Sequence, residues 1–228
     1  MVVGRRGGGA AFGLLALALL AAVPTLSAAP ATAAARRDVA GAFDFWVLVL
    51  SWSPSWCEAE GDSRGAAECA RPFSFTVHGL WPQYTRGYPA DCVTAQPGPS
   101  RRGEARALPL MPSLGLVRHE WRKHGTCSGL SGDDYFATVA DLFARLRIPD
   151  AYRAPTVPRM VDPAAVEADF IAANRLPADA IAVTCDGRRL REVRICFDRD
   201  LKGPVACPEI DRGACRARSV FLPAVRGR

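Results

Sequence analysis

From residue 43 onward the chain alternates between two hydrophobic rhythms. FDFWVLVLSW (43–52) is a continuous apolar run rich in β-formers, the pattern of a central strand buried on both faces. FSFTVHGL (73–80) alternates instead: Phe73, Phe75 and Val77 fall on one face, Ser74, Thr76 and His78 on the other. His78 is therefore expected on the polar face at a strand end, with Gly79 and Pro82 breaking the run. AIAVTC (180–185), a turn at Asp186-Gly187 and LREVRICF (190–197) predict a hairpin. Between these strands the period lengthens. Ser113 to Lys123 predicts a helix, with Ser113 as cap and Gly125 as stop. Ser131-Gly-Asp-Asp134 has the shape of a capping box. It opens an amphipathic helix in which Tyr135, Phe136, Val139, Leu142, Phe143 and Leu146 share a face. Asp162-Pro163 starts another helix, carrying Val166, Phe170 and Ile171. Residues 95–112, dense in proline and glycine and carrying Arg101, Arg102 and Arg106, predict a surface loop. Strands and helices cluster without strict alternation, so the pattern predicts an α+β fold.

The N-terminus departs from these rhythms. Arg5 and Arg6 precede an apolar run from Ala10 to Val23, and small residues follow at Ser27-Ala28-Ala29 and Ala33-Ala34-Ala35. That order predicts a secretory signal peptide over residues 1–35, its apolar run too short for a membrane span of about 20 residues. The mature chain is then residues 36–228, with no repeat or second composition shift to divide it. About half of all residues are apolar, enough for a sizeable core. All eight cysteines lie after the predicted signal, which fits an oxidising compartment and paired thiols. Their number alone does not fix the pairing, and no zinc-knuckle spacing occurs. The formal charge is +6, and losing Arg5 and Arg6 leaves 27 basic against 23 acidic residues, or +4. Such an excess favours polyanions without choosing one.

Only three histidines occur, and two fall within HEWRKHGTC (119–127). His119 and His124 are five apart, roughly 140° around a helix, so they cannot clamp one metal ion as histidines four apart do. No metal or cofactor is expected. Glu120 stands four residues before His124 and three before Lys123, which would put all three on one helical face. A carboxylate there would hold the His124 tautomer and favour its charged form, while Lys123 opposes it, leaving an imidazole that titrates near neutrality. His78, followed by Gly-Leu-Trp-Pro, adds a second proton-transfer group beside an aromatic platform. Two imidazoles, one neutral and one protonated, suit cleavage of a phosphodiester by its neighbouring 2′-hydroxyl. Lys123 and His119 would steady the phosphorane charge.

FTVHGLWPQY (75–84) and HEWRKHGTC (119–127) resemble the two active-site boxes of the ribonuclease T(2) family, secreted ribonucleases that include the plant S-ribonucleases. FDFWVLVLSWSPSWC (43–57) resembles that fold's first strand. The resemblance implies a twisted, mainly antiparallel sheet with helices mostly on one side. It implies the bridges Cys57–Cys69, Cys92–Cys127, Cys185–Cys215 and Cys196–Cys207. It assigns His78 as proton donor, His124 as proton acceptor, Glu120 and Lys123 as transition-state stabilisers, His119 to phosphate and Trp81 to base stacking; Trp46, Trp52 and Trp56 are left to the core. The implied activity is metal-independent cleavage of single-stranded RNA to a 2′,3′-cyclic phosphate, then slow hydrolysis to a 3′-phosphate, with low base specificity. The implied protein is an exported monomer, extracellular or periplasmic, without stable membrane association once the signal is removed. Gln83 and Ser51 depart from residues common in the family, which touches base preference and leaves the chemistry intact. A cationic RNA-binding protein that keeps this fold without catalysis is the alternative.

Overall fold

The computed structural model describes Met1 and residues 38–226, so the predicted signal lies outside the described residues apart from Met1. In chain order the elements are β1 (Phe45–Trp52), α1 (Ser53–Trp56), β2 (Phe75–Gln83), α2 (Arg101–Ala107), α3 (Leu114–Lys123) and α4 (Gly132–Arg145). Then come β3 (Arg159–Val161), α5 (Pro163–Asn174), β4 (Ile181–Cys185), β5 (Leu190–Asp198), α6 (Pro208–Arg212) and β6 (Val220–Leu222). Short 3-10 and π turns link several of them.

Four strands form an antiparallel sheet in the order β2-β1-β5-β4, and β3 pairs with β6 in a separate ribbon. β1 is central, and its apolar run is buried on both faces. Trp46, Leu48, Leu50 and Trp52 point into the main core with residues of α3, α4 and α5; Phe45, Val47 and Val49 join a smaller cluster with Ile210 of α6. The larger helices therefore cover one face, as the resemblance implied. Burying each such side chain contributes roughly 1.5–3 kcal/mol. Tyr135 of α4 donates its hydroxyl to the Leu80 carbonyl at 2.7 Å, fixing that helix to β2. The four bridges are Cys57–Cys69, Cys92–Cys127, Cys185–Cys215 and Cys196–Cys207, as the resemblance implied.

Two expectations need correction. Residues 95–112 are not wholly loop: α2 forms there, with Ser100 accepting from the Gly103 amide as N-cap and Glu104 pairing with Arg118 of α3. A cap and helix-forming Glu, Ala and Arg outweigh the flanking prolines. Nor do Gly79 and Pro82 end β2, which runs on to Gln83. β2 is an edge strand, where proline's missing amide is tolerated.

Candidate active site

β2 positions His78 by an irregularity. Val49 of β1 faces Gly79 while Leu50 faces Val77, so His78 is the extra residue of a β-bulge. The inward parity switches across it: Phe75 and Val77 enter the main core before the bulge and Leu80 after it. Trp81 consequently lands on the opposite face, beside Val47 and Val49. Gly79 allows the close approach of α3, because a Cβ there would overlap the Glu120 carboxylate and the Trp81 indole.

α3 supplies the rest. Ser113 caps its start through the Leu116 amide, and the helix ends at Lys123, leaving His124 as C-cap with φ −117° and Gly125 opening a 3-10 turn. The Cys92–Cys127 bridge and the Asp91 amide, which donates to the Lys123 carbonyl at 2.9 Å, tie this end to the preceding loop. Trp121 packs beneath, edge-on to Tyr135.

Around Trp81 the site closes. The His124 ring stacks on the indole at 5.0 Å between centroids, and the His78 ring meets it edge-on at 5.3 Å. Trp81 Nε1 donates to Glu120 Oε2 at 2.7 Å, and the Arg194 guanidinium lies over the ring at 5.4 Å. The indole is thus held on several sides by the protein while it still lines the cleft, where base stacking was expected of it. Exposed Tyr88, 6.0 Å from the His124 ring, is the more open aromatic. His78, His119, Glu120, Lys123 and His124 all line one cleft of about 380 Å³. A second cleft of about 310 Å³ adjoins it, lined by Ser51, Trp56, Glu68 and Leu116, and sharing His78 and His119 with the first. Trp46 and Trp52 are core residues, whereas Trp56 contributes to this second wall.

Partly buried His78 and buried His124 have opposite electrostatic surroundings. His78 Nδ1 lies 2.7 Å from Glu192 Oε1, and Nε2 lies 3.6 Å from Glu120 Oε1. Burial works against its charge, but the Glu192 hydrogen bond and the negative charges of Glu120 and Glu192 prevail, so its pKa is raised. His124 is 4% exposed, and its Nδ1 has no hydrogen-bond partner. Burial, then the charges of Lys123, His78 and His119, push its pKa down to about 3. Glu120 is not its partner. Because α3 ends before His124, the carboxylate turns to Trp81 and His78, and the expected near-neutral titration of His124 gives way to a neutral imidazole. Burial raises Glu120 to about 6 against the lowering pull of His78, Trp81 and Lys123. His119 is exposed on α3, its pKa lowered by partial burial and by Lys123 and Arg122. Glu192 and Arg194 also belong to the site, and no motif in the sequence singles them out. Their alternation with Val193 and Ile195 marks a polar strand face, but only the strand order shows that this face meets His78.

Comparison with known proteins decides the lineage. Residues 43–207 match the Ribonuclease T2 family. The chain belongs to that family. It is 34% identical to a ribonuclease of Aeromonas hydrophila over 193 residues, covering 78% of this chain and 82% of the relative. Escherichia coli ribonuclease I is 27% identical over 82% of this chain and 85% of its own. Among solved structures, the RNase-related protein from Calystegia sepium superposes with a TM-score of 0.64 at 24% identity, covering 81% of this chain and 98% of its own. That likeness supports the fold, and the sequence matches make this T2 member a ribonuclease. Among its described residues, no helix is long and apolar enough to cross a membrane, and no three His, Cys, Asp or Glu side chains group as metal ligands.

Proposed function

We propose that this protein is an exported endoribonuclease that cleaves single-stranded RNA without a metal, by transphosphorylation to a 2′,3′-cyclic phosphate and slow hydrolysis to a 3′-phosphate. The observation that carries the reading is the flanking of one indole, within one cleft, by two imidazoles in opposite protonation environments. Neutral His124 takes the 2′-hydroxyl proton as the 2′-oxygen bonds to phosphorus. Protonated His78 gives its Nε2 proton to the 5′-oxygen as the P–O5′ bond breaks. Each transfer is worth roughly 10²–10⁴-fold. Lys123 and Glu120 flank the developing charge, and exposed His119, shared by both clefts, holds phosphate. The nucleoside bearing the attacking hydroxyl occupies the His124 cleft, beside Gln83 and Tyr88; the departing nucleoside occupies the cleft walled by Ser51 and Trp56. In the hydrolytic step the two imidazoles exchange roles, His78 activating water.

The eight paired cysteines and the predicted signal support export, and the cyclising mechanism restricts the substrate to RNA. Base preference is expected to be weak, because each cleft carries an aromatic side chain, Tyr88 or Trp56, whose stacking on a base is sequence-tolerant. The test is to digest a defined RNA with purified mature protein in EDTA and map each cut with its terminal chemistry. Cyclic-phosphate ends should form first and 3′-phosphates later. RNA bound in a salt-sensitive manner with no new ends would establish the non-catalytic alternative instead.

A further inference from the structure

Glu192 sits on β5, two strands from His78, a separation of roughly 10 Å by strand spacing. The bulge turns His78 back over the sheet, and Glu192, opposite small Ser51 on β1, bridges the gap. Its two oxygens are divided. Oε1 is 2.7 Å from His78 Nδ1, while Oε2 accepts from Arg194 Nε and Nη2 at 3.0 and 2.7 Å. Burial would raise the Glu192 pKa, but His78 and Arg194 together bring it below the ordinary carboxylate value. An ionised carboxylate only accepts, so His78 Nδ1 must carry the proton in that bond. Nε2 is then the nitrogen left for the cleft. Arg194 in turn rests over Trp81, the residue that meets both histidines and holds Glu120.

We propose that Glu192, clamped by Arg194, is a positioning residue of the reaction: it fixes the ring orientation of the proton donor His78 and sustains its charged form, so that Nε2–H faces the departing 5′-oxygen. This rests on the transphosphorylation reading given above. Glu192 acts only through His78, and the proton delivered to the alkoxide leaves Nε2 as the P–O5′ bond breaks. The charged and titratable groups that face His78 or share its cleft are Glu192 and Arg194 from β5, His119, Glu120, Lys123 and His124 from α3 and its cap, Tyr88 from the loop after β2 and Glu209 from α6. Glu68 and Arg64, from the turns after α1, share the second cleft with it. Of these, only Glu192 makes a hydrogen bond to the ring at 2.7 Å.

The experiment compares two substrates that differ in their need for a donated proton. One is uridylyl-3′,5′-adenosine, whose alkoxide must be protonated to leave. The other is uridine 3′-(4-nitrophenyl phosphate), whose nitrophenolate departs without help. Glu192→Ala should lower kcat on the dinucleotide about 100-fold, within the range a positioned acid contributes. Its loss on the nitrophenyl ester should be at least tenfold smaller, and KM should move little on either. Glu192→Gln keeps an oxygen for Nδ1–H but loses the charge. It should recover much of the dinucleotide rate at acid pH and shift the alkaline limb of its kcat profile to lower pH. Equal losses on both substrates, wild-type rates on both, or an unmoved alkaline limb in Glu192→Gln would each overturn the positioning role alone. A wild-type protein that cleaves neither substrate would overturn the ribonuclease chemistry, and this proposal with it.

Discussion

The bulge of β2 and the end of α3 each present one imidazole to the same indole, yet the two regions treat that imidazole in opposite ways. At the bulge, His78 stands between two carboxylates, one from the neighbouring helix and one reaching over the sheet. At the helix end, His124 is buried with cationic neighbours and no partner for Nδ1. On the proposed mechanism the same side chain becomes an acid in one place and a base in the other. Chain position does not make that difference. It comes from which charges the fold points at each ring and how much water it leaves there, the environmental separation by which two like groups take on opposite proton-transfer roles.

Removing either ring should break this comparison most severely. His78→Ala and His124→Ala should each lower kcat on RNA about 10²–10⁴-fold, measured by initial rates of cyclic-phosphate formation. The pair should separate on the nitrophenyl ester, where His78→Ala recovers most of its loss and His124→Ala does not. Lys123→Ala should cost about 100-fold, the scale of one charge-stabilising group in such a transition state, leaving measurable activity. Trp81→Phe keeps an aromatic face against His124 but deletes the Nε1–H donor to Glu120. About tenfold loss in kcat is expected, the lower end for a hydrogen bond to a charged group.

The smallest effect lies in the pH profile. A base must be deprotonated and an acid protonated. His124, held neutral down to about pH 3, should therefore not limit the rate at pH 5, although an ordinary histidine near 6.5 would. On the alkaline side the rate should fall as His78 loses its proton, above that ordinary value. Glu120, titrating near 6, should add a shallow inflection that is absent in Glu120→Gln. A steep acid limb centred on 6.5 would show that His124 lacks the surroundings described here.

Much of this was legible in the chain because it depends on local periodicity. The unbroken apolar run of β1, the caps at Ser113, Ser131 and Asp162, and the hairpin of β4 and β5 all follow from short-range pattern. What failed required knowledge of neighbours across the fold. The β2 bulge inserts one residue without any mark in the alternation before it, so His78 looked like a strand end. The spacing of Glu120 and His124 implies a shared face only if the helix continues, and α3 stops one residue too soon. Glu192 and Arg194 lie more than a hundred residues beyond His78, and only strand order brings them to it. α2 was obscured by flanking prolines, although Ser100 and Glu104 marked its start.

The central claim concerns the protonation states of two rings, and it can be observed directly. Histidine ring protons of the mature protein can be followed by NMR across an acid-to-alkaline titration and assigned by their disappearance in His78→Ala and His124→Ala. The account predicts that the His78 signal titrates above the ordinary value of about 6.5, while the His124 signal stays in its neutral form until about pH 3 is approached. Both signals moving together near 6.5, or His124 titrating above His78, would contradict it.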